Sequence, residues 1–126
     1  MPEREARFYD FDCYRLDTRN RLLLRDGQAV KIAPKPFGAL RMLVREQGRL
    51  VTDDELLLEV WDGVIVEPGV VSTCIWTVRR ILQKRPDGNE FIVRDRKGYR
   101  FAAPVRVSEE ETPVRLRPER MSLFRP

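Results

Sequence analysis

The sequence predicts an α+β domain with a small N-terminal antiparallel sheet, three helices and a C-terminal β-hairpin. Three observations carry that prediction. Residues 8–32 form short strand-like runs separated by turn clusters. Residues 34–84 change to a helical apolar period, interrupted at Gly48 and at Asp62-Gly63. Residues 91–101 return to strand-like sequence around a tight bend. A chain of 126 residues supports one domain with tails. The expected division is a leader over 1–7, the domain over 8–104, and a flexible tail or linker over 105–126. The tail is placed by the Glu109-Glu110-Glu111 run, Pro113 and Pro118.

Each element has a local reason. Phe8-Tyr9-Asp10-Phe11 and Cys13-Tyr14-Arg15-Leu16 read as strands, and Asp17-Thr18-Arg19-Asn20 as a turn. Arg21–Arg25 and Gln28–Ile32 read as a hairpin about Asp26-Gly27. Pro34 and Pro36 open a first helix, with Phe37, Leu40 and Val44 on one face, and Gly48 ends it. Thr52-Asp53-Asp54-Glu55 is a capping box and starts a second helix that turns Leu56, Val60 and Trp61 inward. A third helix is expected over 70–84. Val71, Ile75, Val78 and Leu82 give it a continuous apolar stripe. The opposite face holds Thr73, Thr77, Arg80 and Lys84, with Trp76 beside them, flanked by Arg79 and Gln83, and it carries no carboxylate. Phe91-Ile92-Val93 and Tyr99-Arg100-Phe101 flank a bend over Asp95–Gly98, where Gly98 is expected to supply a positive φ.

Composition narrows the function. The chain has no histidine, which removes the commonest general base and zinc ligand. Its seven glycines form no phosphate-binding loop. Asp10 and Asp12 would share a strand face but lack the further oxygens a cation site needs. No enzyme, cofactor or metal is therefore expected. Cys13 and Cys74 fit no CxxC pattern and read as free thiols of a reducing compartment. No apolar run approaches the roughly 20 residues of a membrane span, and no secretion signal opens the chain, so a cytoplasmic location is expected.

Charge is concentrated in one quarter of the chain. Residues 72–100 hold eight Lys and Arg against three Asp and Glu, while residues 1–71 hold 11 against 13. A local basic field beside a helix face of small polar side chains suits a polyanion, above all double-stranded DNA. Such a helix fits the major groove. Arg94, Arg96 and Lys97 at the hairpin tip would meet the backbone or the minor groove.

These motifs resemble a known family. Gly48-Arg49-Leu50-Val51-Thr52-Asp53-Asp54-Glu55-Leu56-Leu57, Val60-Trp61, Ile75 with Val78-Arg79-Arg80 and Leu82, and Gly98-Tyr99-Arg100-Phe101 together carry the likeness. Over residues 8–104 the chain is similar to the winged helix-turn-helix DNA-binding domain of OmpR/PhoB-type bacterial transcriptional regulators. The resemblance implies a four-stranded N-terminal sheet, a third helix in the major groove and a hairpin wing on the minor groove or its phosphates. By position, Thr73, Trp76, Thr77 and Arg80 would face DNA and Arg79 would reach a phosphate. The wing would use Arg94, Arg96 and Lys97. The loop holding Asp62, Gly63, Val64 and Glu67 would touch RNA polymerase, and a homodimer would occupy tandem half-sites. Trp76 and Thr77 stand where the family often carries arginines, and Asp95 where a basic residue is common. The family's phosphorylation switch is not expected to operate here, because only seven residues precede the domain in this sequence. The alternative reading is a winged-helix protein-interaction module that does not read DNA, favoured by Trp76 and Asp95.

Overall fold

The computed structural model describes residues 5–109. Its elements are β1 Phe8–Phe11, β2 Tyr14–Asp17, β3 Leu22–Arg25, β4 Gln28–Val30, α1 Pro34–Arg45, β5 Val51–Thr52, α2 Asp53–Val60, α3 Val70–Leu82, β6 Ile92–Arg94, β7 Gly98–Phe101 and β8 Arg106–Ser108. Two antiparallel sheets result, ordered β4-β3-β2-β1-β8 and β5-β7-β6. No helix among the described residues is long and apolar enough to cross a membrane.

The first sheet sorts its side chains by the two-residue period of a strand. Tyr9 opposes Leu16, Phe11 opposes Tyr14, and Leu16 opposes Leu23; all five join the buried core. Phe8 lies outside that core cluster and is buried beneath the guanidinium groups of Arg7 and Arg15, 4.6 and 4.4 Å from its ring centre. Asp26 and Gly27 both take positive φ, 50° and 85°, as a tight two-residue hairpin turn requires. The buried Asp17 carboxylate accepts the Arg19 and Asn20 amides and so builds the next turn.

The helices follow the expected pattern with local differences. Pro34 opens α1, and Phe37, Leu40 and Val44 are buried. The Thr52 capping box forms: its hydroxyl accepts the Glu55 amide, and the Glu55 carboxylate accepts the Thr52 amide. On α3, Ile75, Val78 and Leu82 are buried and Val71 is partly so. The helix stops at Leu82 because Gln83 turns to φ 63°, which leaves Lys84 beyond its end. The orphaned Leu82 carbonyl accepts the Tyr14 hydroxyl at 2.9 Å, joining helix end to sheet.

Four expectations need correction. The ordered chain does not end at Pro104, since Arg106–Ser108 pair with β1 as a fifth strand. The charges and prolines of the segment hide this, because three residues of backbone pairing leave almost no pattern. The leader is not wholly frayed either: Ala6 is buried and its amide donates to the Tyr9 hydroxyl, while residues 1–4 and 110–126 lie outside the described residues. Asp10 and Asp12 do not share a face. Asp10 pairs with Arg15 at 2.7 Å, whereas Asp12 has left the strand at φ 51°. Gly98 is not at positive φ. It is needed because β7 runs so close to β5 that a Cβ there would sit 2.0 Å from the Val51 carbonyl oxygen.

Gly98→Ala should therefore lower stability by about 1–3 kcal/mol through overpacking, read as a reduced denaturation midpoint by circular dichroism. An unchanged midpoint would contradict the close approach.

Candidate nucleic-acid interface

The third helix separates two chemistries by its 3.6-residue period. Its apolar stripe faces the core, and the reverse carries Thr73, Trp76, Thr77 and Arg80. Trp76 is 56% exposed, so it does not pack beneath the hairpin. The Arg80 guanidinium lies over its ring, 4.9 Å from the centroid. The Thr77 hydroxyl donates to the Thr73 carbonyl at 3.1 Å, one turn back. Thr73 and Arg80 are exposed, and no carboxylate of the described residues pairs with Arg80. Cys74 is buried on the core side, where burial pushes its thiol up to about 11, as expected of a packed and unreactive residue.

Arg79 points the other way. Its Nη2 donates to the Ile92 carbonyl at 3.0 Å and ties α3 to the first strand of the hairpin. The hairpin is further fixed at its base and tip. Phe91 and Phe101 stack beside Phe11 and Tyr14, with centroids 5.0–6.1 Å apart. Tyr99 is buried, and the Arg94 guanidinium covers its ring at 4.7 Å while pairing with Asp53 at 3.3 Å. Asp95 holds the tip: its carboxylate accepts the Arg96 amide and a short contact from Arg100, and its own amide donates to the Gly98 carbonyl. The departure from a basic residue at this position is thus a turn-building carboxylate neutralised by Arg100. Arg96 and Lys97 stand at the apex, exposed, with no side-chain partner among the described residues.

The two basic elements border one concavity of about 640 Å³, lined by Trp76 and Arg79 of α3, Arg94 and Tyr99 of the hairpin, and Asp53 and Glu67. The sequence-predicted residues therefore fall into two sets. Thr73, Trp76, Thr77, Arg80, Arg96 and Lys97 are presented outward or half-outward. Arg79 and Arg94 are engaged by neighbours, and Lys84 sits past the helix end, 3.6 Å from Glu90. Sequence reasoning missed Asp53 and Arg100 as partners of the wing. Asp53 reads only as a first-turn helix acid, and nothing local couples it to a residue 41 positions away.

The loop between α2 and α3 has its own character. Asp62 and Gly63 take φ 54° and 73°, and the Gly63 amide donates back to Leu57. Asp62, Gly63, Val64 and Glu67 are exposed, but the most prominent residue is Ile65, 95% exposed, with Val64 beside it and Leu58 exposed on the preceding helix. Ile65 was not singled out from sequence, where an isolated apolar residue in a loop carries no periodicity.

The tip carries a pH signature. Its Asp95 carboxyl is held below its ordinary value of 3.8, chiefly by the Arg96 amide, with Arg100 adding to it against an opposing burial effect. A lowered carboxyl stabilises the fold above its ordinary value, and that contribution is lost as pH falls through the folded one. The Arg96 amide resonance should hold steady from neutral pH to about pH 5 and shift only below 3.8. A transition centred above that value would contradict the contact.

Comparison with known proteins agrees with this geometry. Residues 27–101 match the family described as "Transcriptional regulatory protein, C terminal". The transcriptional regulator HilA of Salmonella typhi is 33% identical over 91 residues, covering 72% of this chain but only 16% of HilA. Among solved structures, the DNA-binding domain of CpxR from E. coli superposes with a TM-score of 0.67 at 26% identity, covering 75% of this chain and 94% of that one. The Klebsiella pneumoniae RstA DNA-binding domain, solved in complex with the RstA box, gives 0.65 at 26% identity, covering 75% and 96%. With that match spanning the helices and the hairpin, the chain belongs to the C-terminal transcriptional regulatory protein family, as a winged-helix DNA-binding module of the OmpR/PhoB type.

Proposed function

We propose that this domain binds double-stranded DNA in a sequence-specific way to regulate transcription, with α3 in the major groove and the wing tip on the minor groove or its phosphates. The carrying observation is the outward face of α3, free of carboxylates, beside an apex whose Arg96 and Lys97 side chains have no partner among the described residues. Thr73, Thr77 and Arg80 meet base edges with Trp76 beside them on the same face, and Arg96 and Lys97 meet phosphate. Arg79 and Arg94 hold the frame from the cleft and reach phosphate only by giving up the Ile92 and Asp53 contacts. Lys84 contributes at longer range, since an exposed ion pair like that with Glu90 is worth about 0–1 kcal/mol and exchanges readily.

The loop holding Asp62, Gly63, Val64 and Glu67 contacts RNA polymerase in this reading, with Val64 and Ile65 as its apolar centre. Their exposure supports a protein partner better than a nucleic-acid one. A second copy on a tandem half-site completes the regulatory unit, and the cytoplasm is where such a complex would work.

Anisotropy titrations over a salt series test the DNA reading. The logarithm of the binding constant should fall with log salt by about 0.9 per neutralised phosphate. Arg96→Ala should weaken all duplexes alike and reduce that slope by about one, whereas Arg80→Ala and Thr77→Ala should relax base preference. Binding that does not respond to salt would contradict the proposal. For the loop, Ile65→Asp should leave duplex affinity unchanged while abolishing transcription in a reconstituted polymerase assay. Full transcription by that variant would remove the loop from the account.

A further inference from the structure

We infer that Trp76 is a positioning residue for base recognition, its indole holding the Arg80 guanidinium extended on the open face of α3 so that Arg80 reads guanine. The inference rests on the DNA-binding reading above and names the base that this part of the interface takes.

Four arginines of the basic stretch are engaged within the domain. Arg79 donates to the Ile92 carbonyl, Arg85 lies near Asp12 and Asp87, Arg94 pairs with Asp53, and Arg100 pairs with Asp95. In each case the guanidinium lies within 4.0 Å of an oxygen of the protein itself. Arg80 differs: its contact is with the flat face of an aromatic ring, at 4.9 Å, and no carboxylate among the described residues pairs with it. A ring face attracts the cation through its quadrupole and uses none of the five N–H donors. The fork is therefore oriented and still chemically open, which an ion pair cannot achieve.

Geometry on the helix adds a direction. Trp76 and Arg80 stand one turn apart, and long helical side chains lean toward the helix N-terminus. The indole thus carries the charge of Arg80 back from the last turn toward the middle of α3, beside Thr73 and Thr77. Recognition helices contact base edges with their N-terminal part, so this shift moves the guanidinium toward the bases. Because the ring orders the side chain before DNA arrives, less rotamer freedom is lost on binding.

The base follows from the donor inventory. The Thr77 hydrogen already goes to the Thr73 carbonyl, leaving Thr77 a methyl group and acceptor lone pairs. On this face of α3 the forked donor is Arg80. Guanine alone presents two adjacent acceptors, N7 and O6, in the major groove, while adenine places an amino donor where the second fork tine would fall.

The test uses the full chain. Duplexes selected from a randomised pool identify the preferred site, and guanines in it are replaced singly by 7-deazaguanine, which lacks N7. One replacement should weaken wild-type binding by about tenfold, and Arg80→Ala should bind natural and replaced duplexes equally. Trp76→Leu should reduce the 7-deaza penalty by about two- to fivefold, whereas Trp76→Phe, which keeps a ring face, should retain most of it. Far-UV circular dichroism confirms that each variant is folded. A 7-deaza penalty equal in Trp76→Leu and wild type would overturn the role of Trp76. Salt-dependent duplex binding with no 7-deaza penalty at any position would overturn guanine reading while leaving DNA binding standing. No duplex binding at low salt would overturn both.

Discussion

Phe91 and Phe101, at the two feet of the wing, stand against Phe11 and Tyr14 of the N-terminal sheet, and the orientation of the basic surface depends on that aromatic contact. A two-stranded hairpin alone is marginal in water. Here its second strand is also clamped against β5, closely enough that Gly98 admits no side chain. The same cluster touches α3 through Tyr14, whose hydroxyl holds the Leu82 carbonyl. Sheet, helix end and wing base thus share one buried junction, and the outward faces of α3 and the wing inherit their relative placement from it.

Within that frame, charge is sorted by engagement rather than by number. The excess of cations over residues 72–100 suggests a broad basic patch. Several of those cations are instead partnered inside the domain: Arg79 by a carbonyl, Arg94 by Asp53 and Arg100 by Asp95. Surface ion pairs contribute little stability each, but they decide which charges remain available to a polyanion. Among the described residues, Arg80, Arg96 and Lys97 have no such partner, one on the helix and two at the apex of the wing. Asp95 belongs to the same scheme, because its carboxylate shapes the tip while Arg100 cancels its charge.

Much of this was legible in sequence because periodicity and capping are local. The apolar stripe through Ile75, Val78 and Leu82 and the capping box at Thr52 appear in the structure as read. What escaped was non-local. The strands Val51–Thr52 and Arg106–Ser108 are too short to show alternation and exist only because a neighbouring edge is offered to them. The purpose of Gly98 was misread because the clash it avoids lies with Val51, 47 positions earlier, whereas a turn is the commoner reason for glycine. The inward engagement of Arg79, next to the outward Arg80, follows from the helical period only once the wing is known to lie on that side.

The most direct test of the account is an amide chemical-shift map recorded while a short duplex carrying the selected site is added to the full chain. The account predicts that the largest changes cluster at residues 72–80 of α3 and at residues 95–97 of the wing, with the β4 edge of the N-terminal sheet unmoved. Changes concentrated on that sheet, or confined to one of the two basic elements, would contradict the claim that helix and wing present a single DNA-binding face.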